Sequence, residues 1–331
     1  MTQPKVTVII PNYNGLKFLK PCMESLVKQN YPDYEILIMD NASTDGSIEY
    51  IREKFPRVNL VCLDKNYGFT GAVNKGIELT ESPYFILLNN DTEVEPDFVG
   101  ELVKAIEKSD KIFSCNSKMI NFYDREVMDD AGDLYAIVGW AFQKGTGQSI
   151  YKYNKDKSIF SACGGASIYR KKVIDEIGAL DPAHFAYLED VDLGYRAKIY
   201  GYRNMYCSKS IVYHVGSGTS GSKYNSFKVK LTARNSIYLN YKNMPIIQLV
   251  LNFLFLLLGF AVKALYFKKI GFGRDYLEGL KEGLSGLGNC RKVKFRFKNL
   301  FNYVRIEIEL IINTFIYVID VLSRRFKCLK R

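Results

Sequence analysis

The sequence predicts an α/β protein with a Rossmann-like, mostly parallel sheet and flanking helices. Short apolar, β-branched runs alternate with segments whose apolar residues recur at helical spacing. Strands that alternate with helices of about 10 to 15 residues form βαβ units, and the strands of such units are parallel. A hydrophobic content of 47% with only 9 prolines argues against a disordered chain.

The predicted elements follow one another from the N-terminus. KVTVII (5–10) is a β-branched strand, and residues 16–29 form a helix with Leu16, Leu19, Met23 and Leu26 on one face. Further strands are predicted at 34–40, 58–64 and 84–90, and further helices at 48–55 and 70–79. Parallel strands place their following loops at one edge of the sheet, which is where ligands bind.

Three loops at that edge are rich in Asn and Asp: residues 12–14, 40–45 and 89–91. Such residues are also ordinary turn and cap residues, but three loops of this kind at one edge favour a binding site. Neither G-x-G-x-x-G nor G-x-x-x-x-G-K-[ST] is present, which disfavours a dinucleotide site and a P-loop. Carboxylates and amides suit a sugar, a ribose, or a hard cation such as Mg²⁺ or Mn²⁺.

The charge is divided unevenly along the chain. Residues 223–331 hold 21 basic and 6 acidic residues, a net charge of +15, whereas residues 1–222 have a net charge of −4. This asymmetry predicts an anionic partner for the C-terminal part, either a lipid surface or nucleic acid. The seven scattered cysteines and the N-terminal MTQPKVTVII predict reduced thiols, no signal peptide and a cytoplasmic protein.

Four motifs stand in order along the chain: VTVIIPNYNG, LIMDNASTDGS, LLNNDTEV and FAYLEDVDLGYR. Together they resemble the family-2 glycosyltransferases of the GT-A fold, and most closely the rhamnosyltransferase-like branch. The resemblance covers about the first 240 residues. It implies a catalytic domain at 1–240. For 241–331, charge and composition predict a basic, apolar, helical region that associates with membranes.

The resemblance implies a nucleotide-sugar donor and a divalent metal ion, Mg²⁺ or Mn²⁺. Asp91 would bind the metal and His214 would complete its site, although Asn89 stands where the family motif begins with an acid. A lone His after a strand is also commonly structural. The residues expected to bind the nucleotide are Pro11, Tyr13, Asn14, Asp40, Asn66, Gly68, Asn89 and Asn90.

The resemblance also implies a catalytic base at Asp190, with Glu189 helping to hold the acceptor. A base must accept the acceptor's proton as its oxygen attacks the sugar. Asp192 is expected to cap the helix. Gly164, Gly165 and Ala166 would form a wall beside the sugars, and the loop after His214 would close over the diphosphate, with Lys223 as a cation.

The C-terminal region contains 20 uncharged residues between Lys242 and Lys263 and a second apolar stretch at 306–322. Basic residues flank both stretches, so the simplest prediction is a peripheral or monotopic arrangement of helices on the cytoplasmic face of an anionic membrane. One or two membrane-embedded helices, a re-entrant first segment, or a buried helix of the soluble body are the alternatives.

The predicted function is an inverting, metal-dependent transfer of a sugar from a UDP or dTDP donor to a lipid-linked or polymeric glycan. The alternatives are a polyprenyl-phosphate sugar synthase and a non-catalytic membrane-associated protein. A processive synthase is disfavoured because Q-x-x-R-W is missing after the Glu-Asp pair. Nucleic acid is not expected as a partner, since the basic residues flank apolar runs. The oligomeric state and the identity of the sugar are left open.

Overall fold

The computed structural model describes residues 4–216 and 224–328, and the side chains as far as residue 322. Its first elements alternate as predicted. They are β1 (Val6–Asn12), α1 (Leu16–Leu26), β2 (Tyr34–Asp40), α2 (Ser47–Lys54), β3 (Asn59–Cys62), α3 (Gly68–Leu79), β4 (Tyr84–Leu88), β5 (Thr92–Val94), α4 (Phe98–Ile106) and β6 (Ile112–Asn121).

The later elements add short strands and then helices. They are β7 (Met128–Asp130), β8 (Asp133–Tyr135), β9 (Ala141–Gln143), β10 (Lys157–Ile159), β11 (Ala166–Arg170), α5 (Lys171–Ile177), α6 (Glu189–Ile199), β12 (Arg203–His214), α7 (Ser226–Asn243), α8 (Ile246–Lys269), α9 (Gly273–Ser285) and α10 (Leu300–Cys328).

The parallel part of the main sheet is formed by the first four strands. β1 lies between β2 and β4, and β3 continues the sheet beyond β2. All three pairs are parallel, and their register places Asn12 opposite Asp40 at the carboxyl ends of β1 and β2. The polar loops predicted to meet at one sheet edge therefore begin from neighbouring strands.

The rest of the sheet is mixed. β11 pairs antiparallel with both β4 and β6, while β6 and β12 are parallel to each other. β12 is long, and its end also pairs with the short strand β5, so that His214 lies opposite Thr92. β7 pairs with β6 on the other side. The short strands β5 and β7 were not predicted, and they position Asp91 and Asp129 of the candidate site.

The main core lies between the sheet and the helices α1 and α4. Every residue of β4 is buried, as the continuous apolar run YFILL predicts for a strand covered on both faces. Leu19, Met23 and Leu26 of α1 are buried at helical spacing, together with Phe98 and Leu102 of α4. The apolar faces predicted for α1 and the first strands thus bury the core.

The chain divides into two compact units. The first contains Met1–Asp133, Gln143–Ala197 and Tyr202–Lys223, within the described residues. The second contains Leu134–Phe142, Lys198–Gly201 and Tyr224–Arg331, again as far as the chain is described. The domain boundary at residue 240 remains a prediction.

In the second unit, α7 packs against α9. A side chain at Gly279 or Gly283 would collide with the backbone of Lys230 or Arg234 on α7, so these two glycines permit the close approach of the helices. The neighbouring α8, Ile246–Lys269, is long and apolar enough to cross a membrane by length and composition.

Candidate active site

The first cluster of the site joins the ends of β1, β2 and β4. The Nδ2 atom of Asn12 donates to Oδ2 of Asp40 at 2.8 Å, and Nδ2 of Asn90 donates to Oδ1 of Asn12 at 2.7 Å. Oδ1 of Asp40 accepts from the backbone N–H of Ser43. Asp40 is only 1% exposed, so in this structure its carboxylate holds the loops that form the edge of the site.

The loop after β1 is fixed by Asn14. This residue has a positive φ of 47°, its N–H donates to Oγ of Ser43, and its Oδ1 accepts from the N–H of Thr44. Asn tolerates this left-handed conformation better than most residues. Pro11 is the last residue but one of β1, and the Tyr13 side chain is 40% exposed, so its ring is open to a ligand at this edge.

The turn before α3 contains Asn66 and Gly68. Oδ1 of Asn66 accepts from the N–H of Gly68, and Nδ2 of Asn41 donates to the Gly68 carbonyl. Gly68 has a φ of +74°, and a Cβ there would lie 2.6 Å from the Phe185 ring. Only glycine fits this turn, which therefore contacts the segment before the predicted base. Asn41 was not among the predicted site residues.

The second cluster contains Asp91, His214 and Asp129. Nε2 of His214 lies 3.3 Å from Oδ1 of Asp91, and its Nδ1 lies 2.7 Å from Oδ2 of Asp129. The antiparallel pairing of β5 with β12 brings Asp91 to His214, since the N–H of Val215 donates to the Asp91 carbonyl. Asp129 was not predicted as a site residue. The acidic run DDAGD (129–133) was the only feature of the sequence that could have indicated it.

This arrangement fits a divalent cation. Burial alone would lower the pKa of His214, but hydrogen bonds to Asp129 and Asp91 raise it to about 10. The two carboxylates thus attract positive charge to the imidazole, and a cation between Asp91 and His214 would supply it in place of the proton. A carboxylate on the far nitrogen of a ligating histidine is a common feature of metal sites, since it orients the ring.

The third cluster is built around Asp190, in the first turn of α6. Its Oδ2 accepts from the N–H of Gly164 at 3.0 Å, and its Oδ1 accepts from the N–H of Val191 at 2.8 Å. Burial raises the pKa of Asp190, while these two N–H groups offset part of the rise. The carboxylate is therefore held in one orientation and keeps a raised proton affinity.

Glu189 differs from Asp190 in accessibility. Glu189 is only 6% exposed, whereas Asp190 is half-buried. Burial and the neighbouring Asp190 raise the pKa of Glu189 well above its usual value. Its Oε2 has no hydrogen-bond partner among the described residues. Of the two carboxylates, that of Asp190 is therefore the more accessible.

The segment before the two acids has an unusual backbone. Phe185, Tyr187 and Leu188 have positive φ angles of 62°, 71° and 66°. Bulky residues adopt this conformation at a cost of roughly 1–3 kcal/mol each, and such strain is concentrated at functional sites. The Phe185 carbonyl accepts from the N–H of Thr70, which helps to hold the segment.

The predicted sugar wall connects two of these clusters. The N–H of Gly164 binds Asp190, and the carbonyl of Gly165 accepts from the N–H of Asn89. Ala166 is buried in β11 opposite Leu88. The wall therefore links the catalytic candidate directly to the strand-end motif that contains Asn89 and Asp91.

Two further buried acids lie near Asp190. One carboxylate oxygen of Asp133, Sγ of Cys163 and one carboxylate oxygen of Asp190 lie within 4.8 Å of one another. Burial, together with Asp130 and Asp190, raises the pKa of Asp133 well above its usual value. Burial, followed by Asp129, raises the pKa of Asp130 to about 8. Neither acid was predicted as a site residue.

Asp192 does not precede α6 as a cap residue: it lies inside the first turn, and its buried Oδ2 accepts from Nε of Arg196 at 3.0 Å. Its role is to pair with Arg196 in the core. The predicted closing loop, including Lys223, lies outside the described residues.

The mixed sheet, its flanking helices and the acids and amides at its strand ends define a protein of the GT-A fold class. The chain belongs to glycosyl transferase family 2, whose family model matches residues 7–178, just over half of the chain. The resemblance seen in the four motifs is thus confirmed.

Several bacterial glycosyltransferases are similar to the chain. Over 117 residues the chain is 37% identical to the uncharacterized glycosyltransferase YibD of Escherichia coli, and the match covers 34% of each protein. Over 237 residues it is 23% identical to the N-acetylglucosaminyl-diphospho-decaprenol L-rhamnosyltransferase of Mycobacterium tuberculosis, covering 65% of this chain and 77% of that one. For three similar curated relatives, the matches cover only 26% to 39% of their length.

Solved structures show the same fold. A crystal structure of GalNAc-T7 with UDP, GalNAc and Mn²⁺ matches with a TM-score of 0.59 and 17% identity. The match covers 73% of this chain and 48% of that one. At this identity the likeness concerns the fold alone.

Proposed function

We propose that the protein is an inverting glycosyltransferase that moves a sugar from a nucleoside diphosphate donor, UDP or dTDP, to a hydroxyl of a lipid-linked or polymeric glycan. The observation that supports this most is Asp190. Its carboxylate is oriented by two backbone N–H groups, remains partly exposed, and has a raised pKa. These are the properties of a general base that removes a proton from a hydroxyl near neutral pH.

The proposed reaction is a single displacement. The acceptor oxygen forms a bond to the anomeric carbon while the bond from that carbon to the diphosphate oxygen breaks. Asp190 accepts the hydroxyl proton, and the nucleoside diphosphate leaves with the electron pair. Because the oxygen attacks opposite the leaving group, the configuration at the anomeric carbon inverts.

The other cluster of the site would receive the leaving group. Asp91 and His214 would hold Mg²⁺ or Mn²⁺, with Asp129 orienting the imidazole. When bound, such a cation offsets the negative charge of a departing diphosphate. The nucleoside would be held by residues at and after the adjoining strand ends. These residues are Pro11, Asn12, Tyr13, Asn14, Asp40, Asn66, Gly68, Asn89 and Asn90.

A lipid-linked acceptor is supported by the rhamnosyltransferase relative, whose own name describes an acceptor of the diphospho-decaprenol type. A hydroxyl acceptor also gives the partly exposed Asp190 a role that a phosphate acceptor would not need. The favoured hypothesis is therefore transfer to a lipid-linked saccharide, and transfer to a polyprenyl phosphate is the alternative outcome of the test.

We further propose that the region after residue 240 holds the enzyme on the cytoplasmic face of an anionic membrane. This region is strongly basic, and α8 is a 24-residue helix whose length and composition would allow it to cross a membrane. Basic residues near an anionic leaflet contribute about 1 kcal/mol each, and apolar burial adds to this.

The test uses the purified full chain with a panel of UDP-, dTDP- and GDP-sugars, with Mg²⁺, Mn²⁺ or EDTA. Thermal shift identifies the donor, since a ligand at 100 times its dissociation constant adds about 2.7 kcal/mol of stability. Release of the nucleoside diphosphate is then measured with a lipid-linked saccharide and with undecaprenyl phosphate. Absence of both donor binding and transfer would overturn the proposal, and NMR of the product tests inversion.

A further inference from the structure

The long apolar helix α8 has a reversed distribution of polar and apolar side chains. Ile246, Ile247 and Leu254 are 72%, 73% and 73% exposed, whereas Gln248 and Asn252 are 5% and 1% exposed. In a helix of a water-soluble protein, the amides would face solvent and the aliphatic side chains would face the core. The outer face of α8 is therefore suited to a surrounding that is not water.

The buried amides of α8 bind one carboxylate of α10. Nε2 of Gln248 and Nδ2 of Asn252 donate to Oε2 of Glu307 at 2.6 and 3.0 Å. A hydrogen bond to a charged acceptor in a low-dielectric surrounding is stronger than one between neutral groups. This three-residue contact joins α8 to α10, and we call it the amide–carboxylate lock.

α10 shows the same reversal. Its exposed apolar residues recur every three or four positions and form one face: Phe301, Val304, Ile308, Ile312, Phe315 and Ile319.

The polar groups of α10 instead contact other residues of the second unit. Nζ of Lys198 lies 2.9 Å from Oε2 of Glu309, and Nδ2 of Asn313 donates to the Tyr135 carbonyl at 3.0 Å. Oγ1 of Thr314 accepts from the N–H of Ile137. Glu307 and Glu309, two acids within the apolar stretch at 306–322, are thus both bound within the unit.

An exposed apolar surface of this extent requires a partner. A second copy of the chain would bring together two regions of net charge +15, which repel each other. Basic residues accompany the apolar faces, with Lys268 and Lys269 at the end of α8 and five basic residues at 291–298 just before α10. An anionic lipid leaflet complements both the charge and the apolar surface.

We propose that α8 and α10 insert together into one anionic leaflet as a pair held by the amide–carboxylate lock, with their outer apolar faces among the acyl chains. This deepens the membrane association proposed above and rests on it. Because α8 has basic residues before and after it, both of its ends are expected on the same side of the membrane. The pair therefore lies within the interface rather than across the bilayer.

The experiment measures tryptophan quenching by acyl-brominated phosphatidylcholine in vesicles that also contain phosphatidylglycerol. The full chain is used, and its one native tryptophan, Trp140, provides the baseline. Leu254→Trp reports on α8 and Phe315→Trp reports on α10, both from strongly exposed positions. Tyr123→Trp, at an equally exposed position of the first unit, is the matched control.

We expect quenching above the baseline for both helix variants and none above it for Tyr123→Trp. Flotation with the same vesicles separates the two proposals. If the protein floats and only Leu254→Trp is quenched, the pair is refuted while membrane association stands. If the protein does not float, the membrane association itself is refuted.

A second experiment tests how much α10 contributes to membrane binding. The double change Phe315→Glu and Ile319→Glu adds charge to its outer face, and we expect flotation at high salt to fall several-fold. Tyr123→Glu is expected to leave flotation unchanged. Equal high-salt flotation of the double variant and the wild type would show that α10 is not inserted.

Discussion

His214 and Asp129 are 85 residues apart in the chain, yet Nδ1 of His214 lies 2.7 Å from Oδ2 of Asp129. This contact orients the ring so that its other nitrogen, Nε2, lies 3.3 Å from Oδ1 of Asp91. Asp91, His214 and Asp129 thus form a row in which the imidazole lies between two carboxylates. In this row Asp91 and His214 are the candidate ligands of a cation, and Asp129 fixes the tautomer and orientation of the imidazole.

The first prediction concerns this row. Asp91→Ala should abolish the metal-dependent part of nucleotide binding, because a carboxylate offsets the desolvation of a cation better than a neutral imidazole does. His214→Ala should weaken it less. Asp129→Asn should lower metal affinity by about 10–100-fold, the usual effect of removing a residue that orients a ligand. Isothermal titration with UDP or dTDP, with and without Mn²⁺, measures all three.

The control for this prediction is Asp175→Asn, which removes an exposed carboxylate from α5. It should leave the titration unchanged. Unaltered Mn²⁺ dependence in both Asp91→Ala and His214→Ala would remove the metal site from these residues.

The second prediction concerns Asp190. Asp190→Asn is nearly isosteric, and its one amide oxygen can still accept from one of the N–H groups of Gly164 and Val191, but its amide cannot accept a proton. Transfer should fall by about 10²–10⁴-fold while donor binding is retained. Glu189→Gln, at the buried neighbour, should have a smaller effect. Turnover is followed by release of the nucleoside diphosphate, and a near wild-type rate for Asp190→Asn would exclude it as the base.

The fold of the first four strands was predictable from the sequence because local information was sufficient. Apolar runs such as YEILIMD are unambiguous buried strands, and β2 occupies the predicted residues 34–40. The four motifs lie directly after such strands or at the start of a helix. The alternation of strands and helices indicated the parallel sheet and its ligand-binding edge, and the order of the four motifs indicated the family.

Asp129 and Asp133 could not be predicted because their positions depend on long-range pairing. β7 pairs with β6 and β6 pairs with β12, so β7 and β12 lie on either side of β6, which brings Asp129 to His214. No local pattern indicates which strand a three-residue segment will join. The amide–carboxylate lock in the second unit could not be predicted for the same reason, since Gln248 and Glu307 are 59 residues apart.

The third prediction concerns the buried pair in α6. Arg196 donates to Asp192 and also to the carbonyls of Ile177, Gly178 and Ala179. Arg196→Met leaves Asp192 as a buried charge without its partner arginine, and this should destabilise the protein by about 3–5 kcal/mol. Lys104→Met, which breaks an exposed pair with Glu101, should cost no more than about 1 kcal/mol. Urea unfolding of both variants tests this, and equal losses would contradict it.

The last prediction concerns Asp133. Burial and the neighbouring acids raise its pKa in the folded protein, so the folded state retains a proton that the unfolded state loses above about pH 4. The resulting stability is present at low pH and is lost as the pH rises toward the folded-state pKa. Between the unfolded-state and folded-state pKa values, each proton retained in this way lowers the free energy of unfolding by about 1.4 kcal/mol per pH unit.

Asp133→Asn replaces this carboxyl with a neutral amide of the same shape. We therefore expect little change in Tm near pH 4 to 5 and a higher Tm than wild type near pH 8, with EDTA present throughout. Asp175→Asn, at an exposed site, should follow the wild-type curve at every pH. Since an ordinary loss of packing would lower Tm equally at all pH values, parallel curves for Asp133→Asn and the wild type would show that the buried carboxyl does not hold a proton.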